Sequence, residues 1–223
     1  MRTIGRGTKG ISALKLQETI CTIVAADLKA GEFGVGVVSS ALSVGKNVPF
    51  TGANSGAVAV QGYTSPFFGI AGMKLLRENV PADEVIERVM TGDPLKQHRQ
   101  ILALDVTGKS AVFTGSEMTP HCGSQQGENY AVAGCGLSGE EVIKACARAF
   151  EETRSDLAGR LVAALAAAEE KGGDGAHWES AVVRISKEAP HPYLDLRVDK
   201  REEPVKELSR LFEIWRLKTA PKA

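Results

Sequence analysis

The sequence predicts an α+β fold in which two antiparallel β-sheets are stacked between helices, a four-layer α/β/β/α sandwich. Strand-like and helix-like segments come in blocks and do not alternate, which favours antiparallel sheets over a doubly wound fold. Two helical blocks follow two strand blocks, so each helical block can cover one sheet. Neither a repeat nor a linker divides the chain, and we expect one domain over residues 19–217 with short tails at 1–18 and 218–223.

The first block is a predicted hairpin of strands over residues 19–27 and 33–40. Both runs are rich in β-branched or small apolar residues, and Asp27 and Gly31 mark a turn between them. Because side chains alternate along a strand, Thr19 and Cys21 should lie on one face of the first strand and Thr22 on the other. After a break with turn residues, a further strand is predicted over 57–61.

The remaining elements follow from apolar periodicity and from turn and capping signals. The Ser138-Gly-Glu-Glu141 run is a predicted capping box that opens a helix. The predicted elements are helices over 69–78 and 82–90, strands over 99–106 and 109–114, a polar loop over 115–129, a strand over 130–134, helices over 138–150 and 157–171, strands over 179–187 and 194–198, and a helix over 204–217.

Composition excludes several classes of protein. The chain has 27 acidic and 27 basic residues, so no excess charge draws it to nucleic acid or to an anionic membrane. No apolar run is long enough to span a bilayer, and the N-terminus lacks the apolar core of a secretory signal, which together predict a cytoplasmic protein. The cysteines have no metal-binding spacing, so we expect reduced thiols, no metal and no cofactor; they are Cys21, Cys122, Cys135 and Cys146.

The opening strand begins with three side chains that can act as nucleophiles, Thr19, Cys21 and Thr22. A hairpin that opens on Thr, Ser or Cys is typical of N-terminal-nucleophile hydrolases, in which the free α-amino group of the nucleophile acts as its base. Such an amine would exist here only if the basic segment before it were a pro-segment that is removed. The alternative is structural, since Thr favours strands and Cys packs as a small hydrophobic residue.

Several motifs give the chain a resemblance to a known family. They include Thr22-Ile-Val-Ala-Ala-Asp27, Ser43-Val-Gly-Lys-Asn-Val-Pro49, Gln61-Gly-Tyr-Thr-Ser-Pro66, Tyr130-Ala-Val-Ala-Gly134 and Asp195-Leu-Arg-Val-Asp199. From Cys21 to about Trp215 the sequence resembles the DUF1028 family, an uncharacterised branch of the N-terminal-nucleophile hydrolase superfamily. The resemblance implies the four-layer sandwich, hydrolysis of an amide bond, and a homo-oligomer.

The resemblance also nominates site residues and marks departures from the family pattern. Ile20 stands where the family usually has its nucleophilic Thr, and Cys135 stands where the family tends to have an Asn that could donate to an oxyanion. Cys21 is the favoured nucleophile, with Thr22 and Thr19 as alternatives. Lys46 and Ser39 are further catalytic candidates, and Tyr63, Thr64, Cys135, Asp174, His177 and Glu179 are candidates for substrate binding.

Two functions follow as hypotheses. The first is an N-terminal-nucleophile amidohydrolase that acts on a small or peptide-like amide, with or without prior self-processing. The second is a non-catalytic binding or assembly protein that keeps the fold without its chemistry, as Ile20 and Cys135 would indicate.

Overall fold

A computed structural model describes residues 18–118, 121–172 and 177–219 of the chain. Within those ranges the protein is a mixed α/β fold with two antiparallel sheets and five α-helices. The strands are β1 Ile20–Asp27, β2 Glu32–Ser39, β3 Pro49–Gly52, β4 Gly56–Gly62, β5 Arg99–Asp105, β6 Ser110–Thr114, β7 Gly123–Gly127, β8 Tyr130–Cys135, β9 Ser180–Ser186 and β10 Leu194–Val198. The helices are α1 Pro66–Arg77, α2 Ala82–Met90, α3 Glu141–Glu152, α4 Leu157–Gly172 and α5 Pro204–Thr219.

The opening strand β1 lies inside the larger sheet. That sheet has the order β10-β9-β2-β1-β8-β7, and the smaller one has the order β3-β4-β5-β6. β1 pairs with β2 on one side and with β8 on the other, so Ile20 lies opposite both Ser39 and Cys135. The first residues of β1 are therefore held by hydrogen-bonded strands on both sides.

The two faces of β1 pack in different hydrophobic clusters, as strand alternation predicts. Cys21 and Ile23 belong to a cluster that includes residues of α3, α4 and α5. Ile20 and Val24 belong to a second cluster that also contains residues of β4 and β5 from the smaller sheet. A third cluster joins the other face of the smaller sheet to α1 and α2. Both sheets are consequently buried on both faces through most of their central strands.

Most predicted elements are confirmed, and α2 has the predicted bounds. Two strands were missed. β3 begins with Pro49 and lies at the edge of its sheet, where proline is tolerated because one side needs no ladder hydrogen bond. β7 lies inside the predicted polar loop over 115–129; its sequence Gly-Ser-Gln-Gln-Gly has no hydrophobic alternation because this edge strand is largely exposed.

The capping-box prediction is wrong. Helix α3 begins at Glu141 and its N-cap residue is Glu140, with no side-chain cap. The Ser138 hydroxyl instead donates to the carbonyl oxygen of Lys171 at 3.4 Å, which links the entry of α3 to the last turn of α4.

Candidate functional site

One end of the larger sheet gathers most of the candidate residues. β1 begins there with Ile20, β2 and β8 end there with Ser39 and Cys135, and β9 begins there with Ser180, which pairs with Ser39. Antiparallel pairing of β1 with β2 and β8, and of β2 with β9, thus brings the four strand ends into one row. We call this row the strand-opening end.

Thr19 precedes this row and is half-buried. Its backbone N–H donates to the Ser40 hydroxyl oxygen at 3.0 Å, and its own hydroxyl donates to the carbonyl oxygen of Gly136 at 3.0 Å. Gly136 has φ 64°, and a Cβ there would come within 2.8 Å of the carbonyl oxygen of Glu18. Only glycine therefore allows the backbone at position 136 to lie this close to Glu18. Burial also raises the pKa of the Glu18 carboxyl, immediately before Thr19. The backbone nitrogen and the hydroxyl of Thr19 are therefore both held by hydrogen bonds next to the strand-opening end.

Cys21 occupies a different environment. Its side chain is fully buried in the cluster formed with the helices, on the face of β1 that points away from the smaller sheet. Interaction with Cys21 and burial together raise the pKa of the Cys146 thiol well above its usual range. A reactive cysteine needs access to solvent, and neither Cys21 nor Cys146 has any, so the two pack as core thiols. The placement gives no support to Cys21 as the nucleophile.

Thr22 starts a line of buried polar side chains that crosses from one sheet to the other. Its hydroxyl donates to Oε1 of Gln61 at 2.6 Å, and Gln61 Nε2 donates to Oε1 of Gln100. Gln100 Nε2 in turn donates to the hydroxyl oxygen of Thr114 at 2.8 Å and to the carbonyl oxygen of Gly123 at 3.3 Å. We call Thr22, Gln61 and Gln100 the buried polar chain, which ends at the exposed Thr114. Thr22, Gln61 and Gln100 are fully buried, so each hydrogen bond replaces one to water.

The prediction of reduced thiols is wrong for two of the four cysteines. Cys122, just before β7, and Cys135, at the end of β8, form a disulfide. The two strands are adjacent in the larger sheet, with Gly123 opposite Gly134, and this pairing brings the sulfurs together. Cys135 consequently has no thiol hydrogen to offer an oxyanion in this state. Its Sγ lies 3.5 Å from Gln100 Oε1, next to the buried polar chain.

The surroundings of Ser39 and Lys46 are those of a turn hydroxyl and of an exposed surface lysine. The Ser39 hydroxyl oxygen is buried and accepts the backbone N–H of Ala41 at 3.0 Å, as a turn hydroxyl does. Lys46 ends a short 3-10 turn over Val44–Lys46, is exposed, and forms no ion pair with any other described residue. Among the described residues, neither side chain forms a hydrogen bond with Cys21 or Thr22.

The 3-10 turn that carries Lys46 is fastened by Ser180. Replacing Ser180 with Ala should lower the free energy of unfolding by about 1–2 kcal/mol, because its buried hydroxyl accepts the Val44 N–H at 3.1 Å and donates to the Ala41 carbonyl at 2.6 Å. Urea unfolding measures this difference. Ser209→Ala is the control, since its hydroxyl only bonds back to its own helix. Equal losses in the two variants would contradict the proposed fastening of the turn.

Tyr63 and Thr64 follow β4 and lie at the same end of the smaller sheet as Gln61. The Tyr63 carbonyl accepts a hydrogen bond from Nη1 of Arg99, and the guanidinium carbon lies 5.4 Å from the Tyr63 ring centroid and 4.3 Å from that of Phe68. Arg99 is held by Asp93 through a hydrogen bond of 2.7 Å. The Thr64 hydroxyl donates to the Gly62 carbonyl at 3.1 Å, so it shapes the turn. The Tyr63 side chain remains 41% exposed.

His177 and Glu179 line a separate open groove of about 1100 Å³ beside α5. His177 is exposed, and the Glu179 carboxylate forms an ion pair with Lys200. Backbone hydrogen bonds connect this groove to the strand-opening end, since the Glu179 N–H donates to the Ser39 carbonyl at 2.8 Å. Asp174 lies outside the described residues.

Residues 21–208 match the family model described as a family of unknown function, DUF1028. The chain belongs to this family. Among solved structures, the crystal structure of protein SPO2555 from Silicibacter pomeroyi, which carries the same DUF1028 description, is similar with a TM-score of 0.82 and 29% identity over 89% of each chain. No curated protein matches the sequence.

Sequence reasoning overlooked the interior of this DUF1028 chain. Gln61, Gln100 and Thr114 were not among the candidate residues, although the structure joins all three to Thr22. A signal was present: Gln61 ends the apolar run Ala57-Val-Ala-Val, and Gln100 precedes the apolar run Ile101-Leu-Ala-Leu. A lone amide in a buried strand needs a partner, and the two glutamines supply one another.

The described part of this DUF1028 chain contains neither a cluster of metal-ligating side chains nor a membrane-spanning helix. No three side chains of the His, Cys, Asp and Glu types come together there in a way that could hold a metal ion. No helix in that part has both the length and the apolar character that crossing a bilayer requires.

Proposed function

We propose that this DUF1028 chain is an amide hydrolase of the N-terminal-nucleophile type, built as a four-layer α/β/β/α sandwich, with Thr19 as its nucleophile. Three separate hydrophobic clusters, one on each outer side of the two sheets and one between them, support the layered architecture. The substrate class is a small or peptide-like amide, taken from the superfamily that the family resembles.

The observation that carries the choice of Thr19 is its combination of exposure and fixed geometry. Cys21 and Thr22 are completely buried, whereas Thr19 is half-buried at the open end of β1. Its nitrogen is already held by Ser40, and its hydroxyl is held by Gly136. Cleavage before Thr19 leaves every residue of β1 in place, while cleavage before Thr22 would remove two residues that pair with both neighbouring strands.

The proposed reaction starts with cleavage of the peptide bond between Glu18 and Thr19. The new α-amino group, with an ordinary pKa of about 8, accepts the proton of the Thr19 hydroxyl as its oxygen attacks the amide carbon of the substrate. The amine then returns the proton to the leaving nitrogen, and water hydrolyses the resulting ester. The Ser40 hydroxyl positions the amine throughout, and backbone N–H groups near the strand ends stabilise the oxyanion.

Intact-mass measurement of the purified protein tests this proposal. We expect a mature chain that begins at Thr19, processing in Thr19→Ser, and none in Thr19→Ala. Cys21→Ala is the matched control and should be processed like the wild type. A β-lactone, an electrophile that acylates such hydroxyl groups, should add its mass to the Thr19 peptide only in processed protein. A mature N-terminus at Cys21 or Thr22 would overturn the assignment.

A second function, a binding or assembly protein without catalysis, is favoured by one specific observation. Ile20 stands where the resemblance places the nucleophile, and its side chain is 2% exposed in the cluster between the sheets. In that case the chain remains uncut after prolonged incubation, and binding of a metabolite is the same in wild type, Cys21→Ala and Thr19→Ala.

A further inference from the structure

We propose that the Cys122–Cys135 disulfide is a redox-controlled clamp on the buried polar chain. In the oxidised state it holds β7 against β8 beside Gln100, and its reduction loosens this contact and opens the space between the sheets to solvent. The clamp involves only the two cysteines and the polar side chains, and it is independent of the proposed hydrolysis.

Gln100 connects the disulfide to the buried polar chain because it contacts Cys135 and the residue that follows Cys122. Its Nε2 donates to the carbonyl oxygen of Gly123, the residue that follows Cys122, at 3.3 Å. Its Oε1 lies 3.5 Å from Cys135 Sγ and accepts the hydrogen bond of Gln61, which is bonded to Thr22. Movement of either cysteine therefore changes a contact of the amide that links the two sheets.

Apart from its pairing with β8, the clamped strand is held by polar side-chain contacts, such as the hydrogen bond from exposed Gln126 to the Ser110 carbonyl oxygen at 2.9 Å. β7 is the edge strand of the larger sheet and, among the described strands, pairs with β8 alone. It consists of glycine, serine and glutamine, and most of its residues are partly or fully exposed. Edge segments with few buried apolar contacts open locally at low free-energy cost, so a covalent cross-link has a large influence on how often β7 separates from β8.

The two sulfurs differ in accessibility, which sets the direction of attack. Cys122 is partly exposed, whereas Cys135 is 1% exposed. A dithiol reductant attacks Cys122 Sγ as its thiolate, the Sγ–Sγ bond breaks, and Cys135 leaves as a thiolate that takes up a proton. The second thiol of the reductant then closes on the mixed disulfide and releases Cys122. The reductant loses two electrons and two protons, and the protein gains two thiols.

The other two cysteines provide an internal reference for this chemistry. Cys21 and Cys146 are free and fully buried in the cluster on the opposite face of the larger sheet. Alkylation with iodoacetamide after denaturation should therefore modify two cysteines in the protein as isolated without reductant and four after treatment with dithiothreitol. Four modified cysteines in air-oxidised protein would mean that the bridge does not form and would overturn the proposal.

Hydrogen exchange tests the clamp itself. Dithiothreitol should increase the exchange rate of the Gln100 side-chain amide and of the β7 backbone amides at least about tenfold, measured by NMR. Cys122→Ser/Cys135→Ser should exchange at the fast rate with or without reductant. Cys146→Ala is the control and should respond to dithiothreitol as the wild type does. Complete reduction with unchanged exchange at Gln100 would overturn the proposal, even with the bridge demonstrated.

Discussion

Asp93→Ala is expected to lower the free energy of unfolding by about 3–5 kcal/mol, because it leaves the Arg99 guanidinium buried without its carboxylate. The Asp93 and Arg99 side chains are only 7% and 5% exposed and are joined by a 2.7 Å contact. Arg88→Ala, in a half-exposed pair with Glu84, is the control and should cost less than about 1 kcal/mol. Urea unfolding of both variants measures the two losses of stability. Similar losses would contradict the prediction that burial makes the Asp93–Arg99 pair more costly to break than an exposed pair.

The same ion pair should give stability a defined pH dependence. The hydrogen bond from Arg99 is the main reason that the pKa of Asp93 is lowered below its ordinary value. A carboxyl with a lowered folded-state pKa stabilises the fold fully above its unfolded pKa of about 3.9 and loses this contribution as pH falls through the folded value. The stability difference between wild type and Asp93→Asn should accordingly shrink below about pH 4. A difference that stays constant down to pH 2 would contradict the assignment.

The Asp93–Arg99 pair has a consequence for the candidate site. Arg99 donates to the Tyr63 carbonyl and lies over the Tyr63 and Phe68 rings, so it positions the segment between β4 and α1. Tyr63 follows Gln61 by two residues at the end of β4. Loss of Asp93 should therefore disturb the exposed Tyr63 ring and the start of α1 before it affects the interior of either sheet.

The sequence contained enough to predict which residues of β1 share a face. Alternation predicts Cys21 and Thr22 on opposite faces, and the structure agrees: Cys21 lies in the cluster beside the helices, and Thr22 bonds to Gln61 of the smaller sheet. The sequence could not show which face of β1 belongs to a site. β1 is buried on both faces, so its apolar run has no polar face that would identify the side exposed to solvent. That choice depends on where the helices pack, which is a long-range property of the chain.

The disulfide and the hydrogen-bonded glutamine pair could not be predicted from the sequence, for a related reason. Cys122 meets Cys135 only because the polar segment before Tyr130 adds to the sheet as β7, and nothing in its pattern favours a strand. Gln61 meets Gln100 only in the register of β4 with β5, where the two residues are paired. A shift of one residue would send one of the amides to the opposite face of the smaller sheet.

Gln61→Leu should lower the free energy of unfolding by about 2–4 kcal/mol, because it leaves the Thr22 hydroxyl and Gln100 Oε1 buried without a partner. The matched control is Gln126→Leu: Gln126 also donates a hydrogen bond, to the Ser110 carbonyl at 2.9 Å, but it is exposed, so water can replace it at a cost below about 1 kcal/mol. Thermal or urea unfolding measures both variants.

A double-mutant cycle with Thr22→Val separates a structural role of Thr22 from a chemical one. If the role of Thr22 is to donate its hydrogen bond to Gln61, the two single losses should not add. The double variant Thr22→Val/Gln61→Leu should then be more stable than their sum predicts, by about 0.5–3 kcal/mol. Thr22→Val should also be processed at its N-terminus like the wild type. An additive cycle together with loss of processing in Thr22→Val would instead indicate that Thr22 takes part in the reaction. That result would contradict the assignment of Thr19 as the nucleophile.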